Sequence, residues 1–314
     1  KIHERFNAFL SRILAPDCPH RSALLLHGKA WLQQTDMGEE GSPGGAWFHQ
    51  AKRGLLAPFA VGTIDQALMA AMNVKHGFVR AFGLAGKVVI LDEVHTYDAY
   101  TGTLLDALVA LLRSLHCTVI ILSATLSQER RSHLLQAPLH SRAYPLITAV
   151  QDAGDAPQVH ECPVAPPPST HVEVRLLDDG VCALQAALDR AAQGQQVLWI
   201  ENTVDSAQQR YLDLAARAQE LGVACGLLHS RFTAADRQSI EDRWVNLFGK
   251  PGWPQRAAQG RILVGTQVLE QSLDIDADFL VTAFAPTDML LQRMGRLWRH
   301  FETPRASTAT CSAW

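Results

Sequence analysis

Apolar positions along this chain follow two alternating periods. In IHERFNAFLSRIL, near the start, they recur at helical spacing, and ALLLH then forms a short strand-like run. IDQALMAAM predicts a second helix, KVVILD and TVIILS predict strands, and TGTLLDALVALLRSL between them is again apolar at helical spacing. Strand, helix, strand in that order implies a right-handed crossover and a parallel sheet. Val88 to Leu91 read as a central strand buried on both faces. The glycine- and charge-rich stretch 34–53 reads as a surface loop. Over 151–170, QDAGDAPQVHECPVAPPPST, proline crowds in and no period survives, which predicts a linker. Alternation resumes with HVEVRLL, QVLWIEN, ACGLLHS, RILVGTQ and FLVTAF as strands. Helices over ALQAALDRAAQ, VDSAQQRYLDLAARAQEL and AADRQSIEDRWVNLF lie among them, and a last one runs through TDMLLQRMGRLWR. The expected class is α/β, with one domain over 1–150, a linker over 151–170 and a second domain over 171–314, each a mostly parallel sheet flanked by helices.

Composition narrows the setting. With 314 residues, 47% of them hydrophobic, the chain can bury two cores of ordinary size. Lys and Arg number 28 against 31 Asp and Glu, so no global positive field advertises a polyanion and any nucleic-acid contact must be local. The six cysteines show no C-x-x-C pair and no regular spacing, which argues against zinc or a disulfide framework and for a reducing cytoplasm. Apolar runs such as KVVIL are too short to cross a bilayer and no signal-peptide pattern opens the chain, so no membrane partner is expected. A start at Lys1, already inside a helical pattern, is what a fragment would show.

The candidate chemistry begins with LDEVH. Asp92 and Glu93 arrive at the carboxyl end of an apolar strand, where open parallel sheets bind ligands. A carboxylate there can hold the magnesium of a nucleotide, and its neighbour can orient or deprotonate the attacking water. Asp92 is the expected metal residue and Glu93 the expected base; read alone, an acidic pair closing a strand in solvent is the simpler account. Ser123, Ala124 and Thr125 close the next strand, with hydroxyls able to relay the state of those carboxylates. Downstream, Gln292, Gly295, Arg296 and Arg299 form Q-x-x-G-R-x-x-R. On a helix, arginines three apart share a face, and two guanidinium groups so placed can stabilise a triphosphate's transition state across a cleft; a solvated basic face is the alternative. In RILVGTQVLEQSLDID, Gly265 and Thr266 offer donors to a phosphate, while Asp274 is placed to accept a hydrogen bond from a nucleotide ribose. An ordinary strand-to-helix turn would look the same.

Taken in order, D-E-x-H, S-A-T, G-T-Q-V-x-E-Q-S-L-D and Q-R-x-G-R-x-x-R-H resemble the motor motifs of superfamily 2 helicases. VGTIDQ before a DEVH box followed by Tyr-Asp-x-Tyr, together with ENTVDSAQ and LLHSRFTAADR, is similar to the CRISPR-associated helicase-nuclease of type I systems. That resemblance implies two tandem RecA-like domains and an ATP- and Mg2+-dependent motor on single-stranded DNA opened by a guide-RNA surveillance complex. It implies that Thr63, Thr203, Ser230, Arg231 and Thr266 line the strand's track, that His95 couples the ATP site to the opposing lobe, and that Asp274 and Gly295 lie at the nucleotide. Small donors gripping phosphates give sequence-independent binding without a basic global charge.

Two departures qualify that expectation. No G-x-x-x-x-G-K-[ST] loop occurs; the Gly-Lys pairs at 28–29, 86–87 and 249–250 are followed by Ala30, Val88 and Pro251. None of the 13 histidines precedes an aspartate, so the family's nuclease dipeptide has no counterpart here. The expected enzyme is thus a motor core inactive by itself, with a strand- or partner-binding half-motor as one alternative and an RNA-directed helicase as another.

Overall fold

The computed structural model describes residues 2–18, 20–26, 54–72, 77–94, 99–124, 126–153, 156–166, 168–178, 180–256, 258–270 and 273–314. Packing divides the chain into two units, Lys1–Ala165 and Pro166–Trp314.

In the first unit, helix α1 (Ile2–Ile13) buries Leu10 and sets Phe6 edge-on to Phe59. Asn7 ties it to the sheet by accepting the Ala23 N–H at 2.8 Å. Strand β1 (Leu24–Leu26) runs parallel to β2 (Ala60–Gly62), and helices α2 (Ile64–Ala71) and α3 (Gly77–Leu84) follow. Strand β3 (Val88–Leu91) pairs in parallel with β4 (Thr118–Ile121), joined by α4 (Ala99–Ser114). Leu105, Leu108 and Leu112 on α4 recur at helical spacing and are at most 1% exposed; they pack with Leu68, Leu91 and Leu134. Helix α5 (Gln128–Leu135) is capped by Ser127, whose hydroxyl accepts the Arg130 N–H.

Two expectations fail in this unit. Strand β3 is not buried on both faces: Val88 is 62% and Ile90 59% exposed, and of its residues only Leu91 is buried. Among the described residues β4 is its one strand neighbour, and the leucine core of α4 lies on the side of Leu91 and Val89. The 151–170 stretch is not all linker either, because β5 (Leu146–Ala153) and β6 (Ala156–Pro163) form an antiparallel hairpin. Prolines at the strand ends break the sequence period without breaking the ladder, since a proline at a strand end removes no needed donor.

The second unit is a six-stranded, all-parallel sheet in the order β7-β12-β11-β8-β10-β9. Its elements are β7 (Glu173–Val174), α6 (Gly180–Ala192), β8 (Gln196–Ile200), α7 (Val204–Glu220), β9 (Ala224–Leu228) and α8 (Ala234–Phe248). Then come a short α9 (Trp253–Arg256), β10 (Arg261–Gly265), β11 (Phe279–Thr282), α10 (Thr287–Met294) and β12 (Ser312–Ala313). Helices α6 and α7 cover one face over Val197, Val264 and Phe279; α8 covers the other with Trp244 and Phe248 over Leu198, Leu263 and Leu280. A parallel sheet so sandwiched needs near-continuous apolar strands, and β8 and β10 are buried at every residue. Gly226 in β9 makes room for α8, because a Cβ there would lie 2.0 Å from the Trp244 ring.

The last helix is shorter than its periodicity predicts. It stops at Met294, Gly295 caps it, Trp298 takes a left-handed φ of 48°, and Leu297 bridges to Ala277 beside the sheet. Arg296 and Arg299 therefore do not share a helix face.

Candidate functional site

Each unit gathers its motif residues at the carboxyl ends of its strands. In the first, Asp92 and Glu93 leave β3 exposed to solvent, anchored by buried Leu91 and Val94. The Glu93 N–H donates to Asp92 Oδ1 at 3.0 Å. Glu93 holds a φ of 56°, a conformation costing a non-glycine residue about 1 kcal/mol or more, of the kind that persists at functional sites. Ser123 and Ala124 leave the neighbouring β4, where the Leu122 N–H bonds to Leu91 O at 2.8 Å. Ser123 thus stands one strand from the carboxylates. Thr63 caps α2 and is exposed, with its hydroxyl making no capping bond. His95 and Thr125 lie outside the described residues.

Would these residues suit magnesium? Asp92 has one oxygen on the adjacent N–H and its Oδ2 accepts nothing among the described residues, and a hard, exposed carboxylate oxygen is the donor this ion prefers. The donor chemistry fits.

In the second unit, Thr203 follows β8 and caps α7, accepting the Ser206 N–H at 3.1 Å. Ser230 and Arg231 follow β9; the Arg231 guanidinium pairs with Asp205 at 2.7 Å in the first turn of α7. Thr266 follows β10, where Gly265 packs so closely that a Cβ would lie 2.3 Å from Leu228 O. Four of the five residues expected on a strand track thus share one end of one sheet. Ser230 and Thr266 line a common cavity of about 320 Å3.

His229 shapes this end. Its Nδ1 accepts the Arg231 N–H at 3.2 Å, Gln208 lies 3.3 Å from Nε2, and the ring stacks on Phe232 at 4.2 Å. An imidazole accepting at Nδ1 must be neutral, with its proton on Nε2, whose N–H the Gln208 amide accepts with its oxygen turned toward the ring. Burial, then the Arg231 charge, pushes its pKa below the ordinary histidine value. The unfolded chain therefore binds this proton more tightly. The stabilising contribution is complete above the unfolded pKa, about 6.5, and is lost as pH falls below it. Melting curves from pH 7 to 5 should fall more steeply for the wild type than for His229→Gln; equal slopes would show that His229 does not carry this dependence.

The arginines of Q-x-x-G-R-x-x-R separate in role. Arg296 is buried, donating to the carbonyls of Leu273 at 2.7 Å and of Glu270, so it braces the loop after β10 and does not project outward. Arg299 is the half-exposed one: its Nε lies 3.3 Å from Asp274, while its N–H donates to Asp276 at 3.1 Å. Asp274, expected at a ribose, is shared between Arg299 and His300, the latter at 3.2 Å. Gln292 is half-buried on α10 and Gly295 is exposed at its end.

Arg293, which has no role of its own in the sequence pattern although it stands in Q-R-x-G-R-x-x-R-H, is 0% exposed and bonds Glu270 at 2.6 Å, Thr282 at 2.7 Å and Asn202 at 2.9 Å. Its place beside Gln292 was the available signal. Asp276, likewise without an expected role, uses its two oxygens to accept from Arg305 and Thr303 as well as from the Arg299 N–H. These buried groups connect the loops after β8, β10 and β11 to the turn carrying Arg299.

Tandem α/β units with these motifs in this order define the RecA-like core of a superfamily 2 DExH helicase. The model of the CRISPR-associated nuclease/helicase Cas3, C-terminal, matches residues 193–302. The CRISPR-associated endonuclease/helicase Cas3 of Thermus thermophilus is 39% identical, over 97% of this chain and 38% of that protein. A crystal structure of T. fusca Cas3-ATP superposes with a TM-score of 0.88 at 35% identity, covering 99% of this chain and 39% of that one. A chain in a CRISPR RNA-guided surveillance complex, pre-nicking, matches at 36% identity and a TM-score of 0.74, over 93% of this chain and 38% of its own. This chain belongs to the Cas3 family of CRISPR-associated nuclease/helicases, and it spans under two-fifths of the length of these relatives.

Proposed function

We propose that the chain is the motor core of an ATP-dependent single-stranded DNA translocase of CRISPR interference, acting on DNA opened by a guide-RNA surveillance complex. The observation that carries this reading is Asp92 followed by a left-handed Glu93 at the exit of β3, with Ser123 leaving the adjacent parallel strand. Glu93 orients and accepts a proton from the attacking water, and Asp92 holds the nucleotide's magnesium, which when bound neutralises phosphate charge. Arg299, released from Asp274, supplies positive charge to the transferring phosphoryl group; Arg296 holds the loop it departs from. Thr63, Thr203, Ser230, Arg231 and Thr266 grip strand phosphates, and Ser123 passes the nucleotide state on to that grip.

A second reading has its own observation: no G-x-x-x-x-G-K-[ST] loop lies within these 314 residues, so the chain taken alone would bind strand or partner without turnover. Equilibrium binding of labelled single strands by the whole protein, with and without a non-hydrolysable ATP analogue, separates the two. The motor reading expects affinity to change at least about fivefold between those states, the lower end of ordinary allosteric coupling. Equal affinities would leave only the binding module, and hydrolysis stimulated by RNA but not DNA would redirect the substrate.

A further inference from the structure

The cavity of the second unit contains more than the motif residues explain. Ser230, Thr266 and Gln267 line it from the loops after β9 and β10, and Arg237 and Glu241 line it from α8. Thr266 is 2% exposed, yet its hydroxyl makes no capping bond although the residue stands at the N-cap of the turn over 267–269. With no capping bond to make, that hydroxyl opens on the cavity and can donate to an acceptor there. Arg237 points the same way. Its Nε donates to Glu241 Oε1 at 2.7 Å, which fixes the guanidinium and uses only one of its donors. Nη1 and Nη2 remain for an acceptor in the cavity.

We propose that Arg237 is a phosphate contact, binding the non-bridging oxygens of one phosphodiester of the single strand together with Thr266, Ser230 and Gln267. This rests on the reading of the chain as a single-strand binder. The chemistry selects the diester. Among the described residues no aromatic ring lines the cavity, so a base meets no stacking partner there, whereas a phosphodiester offers acceptors to hydroxyl, amide and guanidinium donors. Glu241 beside Arg237 leaves the site close to electrically balanced, which suits a singly charged diester better than a doubly charged terminal phosphate.

The test titrates the 314-residue chain with a fluorescent oligothymidine at several salt concentrations. Each phosphate contact to a single strand contributes about 0.7 to the slope of log affinity against log salt. Arg237→Gln should lower that slope by about 0.7 and weaken binding about fivefold at 0.1 M salt. Arg237→Lys, which keeps the charge and the stem, should restore the slope. Arg243→Gln, elsewhere on α8, should leave it unchanged, and thermal melts check that each variant is folded. Wild-type affinity and slope in Arg237→Gln overturn the contact, as does a lysine variant that behaves like the glutamine one or an equal loss in Arg243→Gln. A wild-type chain that binds no oligonucleotide overturns instead the reading on which the contact rests.

Discussion

Asp92→Ala and Glu93→Ala in the whole protein are each expected to cut DNA-stimulated ATP hydrolysis by about a hundredfold to ten-thousandfold, the usual worth of a positioned acid-base group. Both side chains are exposed and belong to no hydrophobic core, so the loss should come without unfolding. Glu93→Gln is the sharper variant. It keeps the length and the hydrogen-bonding shape of the side chain at its left-handed φ of 56°, and removes only the ability to take a proton. Strand binding should survive it while steady-state turnover disappears. Asp92→Asn should differ, because weakening a magnesium ligand raises the metal concentration needed for half-maximal rate as well as lowering the rate. A metal titration at saturating ATP distinguishes the two roles. Undiminished turnover in either alanine variant would remove these carboxylates from the hydrolytic site.

Much of the second unit is legible in its sequence because its physics is one-dimensional. After their first residues, QVLWI and RILVG are apolar throughout, as strands sandwiched between two helical layers must be, and both lie inside the sheet with a strand on either side. Motif residues were legible for a related reason: a strand exit fixes where the next few side chains stand, so Thr203, Ser230 and Thr266 fall at one sheet end by sequence alone. What escaped depends on the third dimension. The run TDMLLQRMGRLWR stays helical in period past Met294, and nothing in it says that Leu297 will turn to bridge Ala277. Pattern cannot tell an arginine in solvent from one that finds carbonyls or a carboxylate in the core, so Arg296 reads as projecting, and Arg293, though part of Q-R-x-G-R-x-x-R-H, reads with no role of its own. Val88 and Ile90 show the converse, since an apolar strand need not be covered on both faces.

Arg293→Ala is expected to cost about 3–5 kcal/mol of stability in the second unit, the range for removing one partner of a buried ion pair. The reason lies in what remains. Glu270 is 1% exposed at its side chain and would keep its charge with no cation facing it, and Asn202, Thr282 and the Ala283 carbonyl would each lose a donor. For a unit of this size the melting temperature should fall by roughly 10 °C. Trp199, Trp244, Trp253, Trp298 and Trp314 all lie in this unit and make up most of the seven tryptophans, so fluorescence reports chiefly on its transition. Replacing the pair together, Arg293→Met with Glu270→Leu, should recover most of the stability, because no buried charge is then left alone. Function should not return with it. Arg293 holds the loops that begin at Asn202 and Ala283 and, through Glu270, the loop that begins at Thr266, and an apolar pair packs without orienting them. The double variant should therefore melt close to the wild type yet bind single strands more weakly. Wild-type binding by that variant would show that the ion pair stabilises the unit without positioning its phosphate-binding loops.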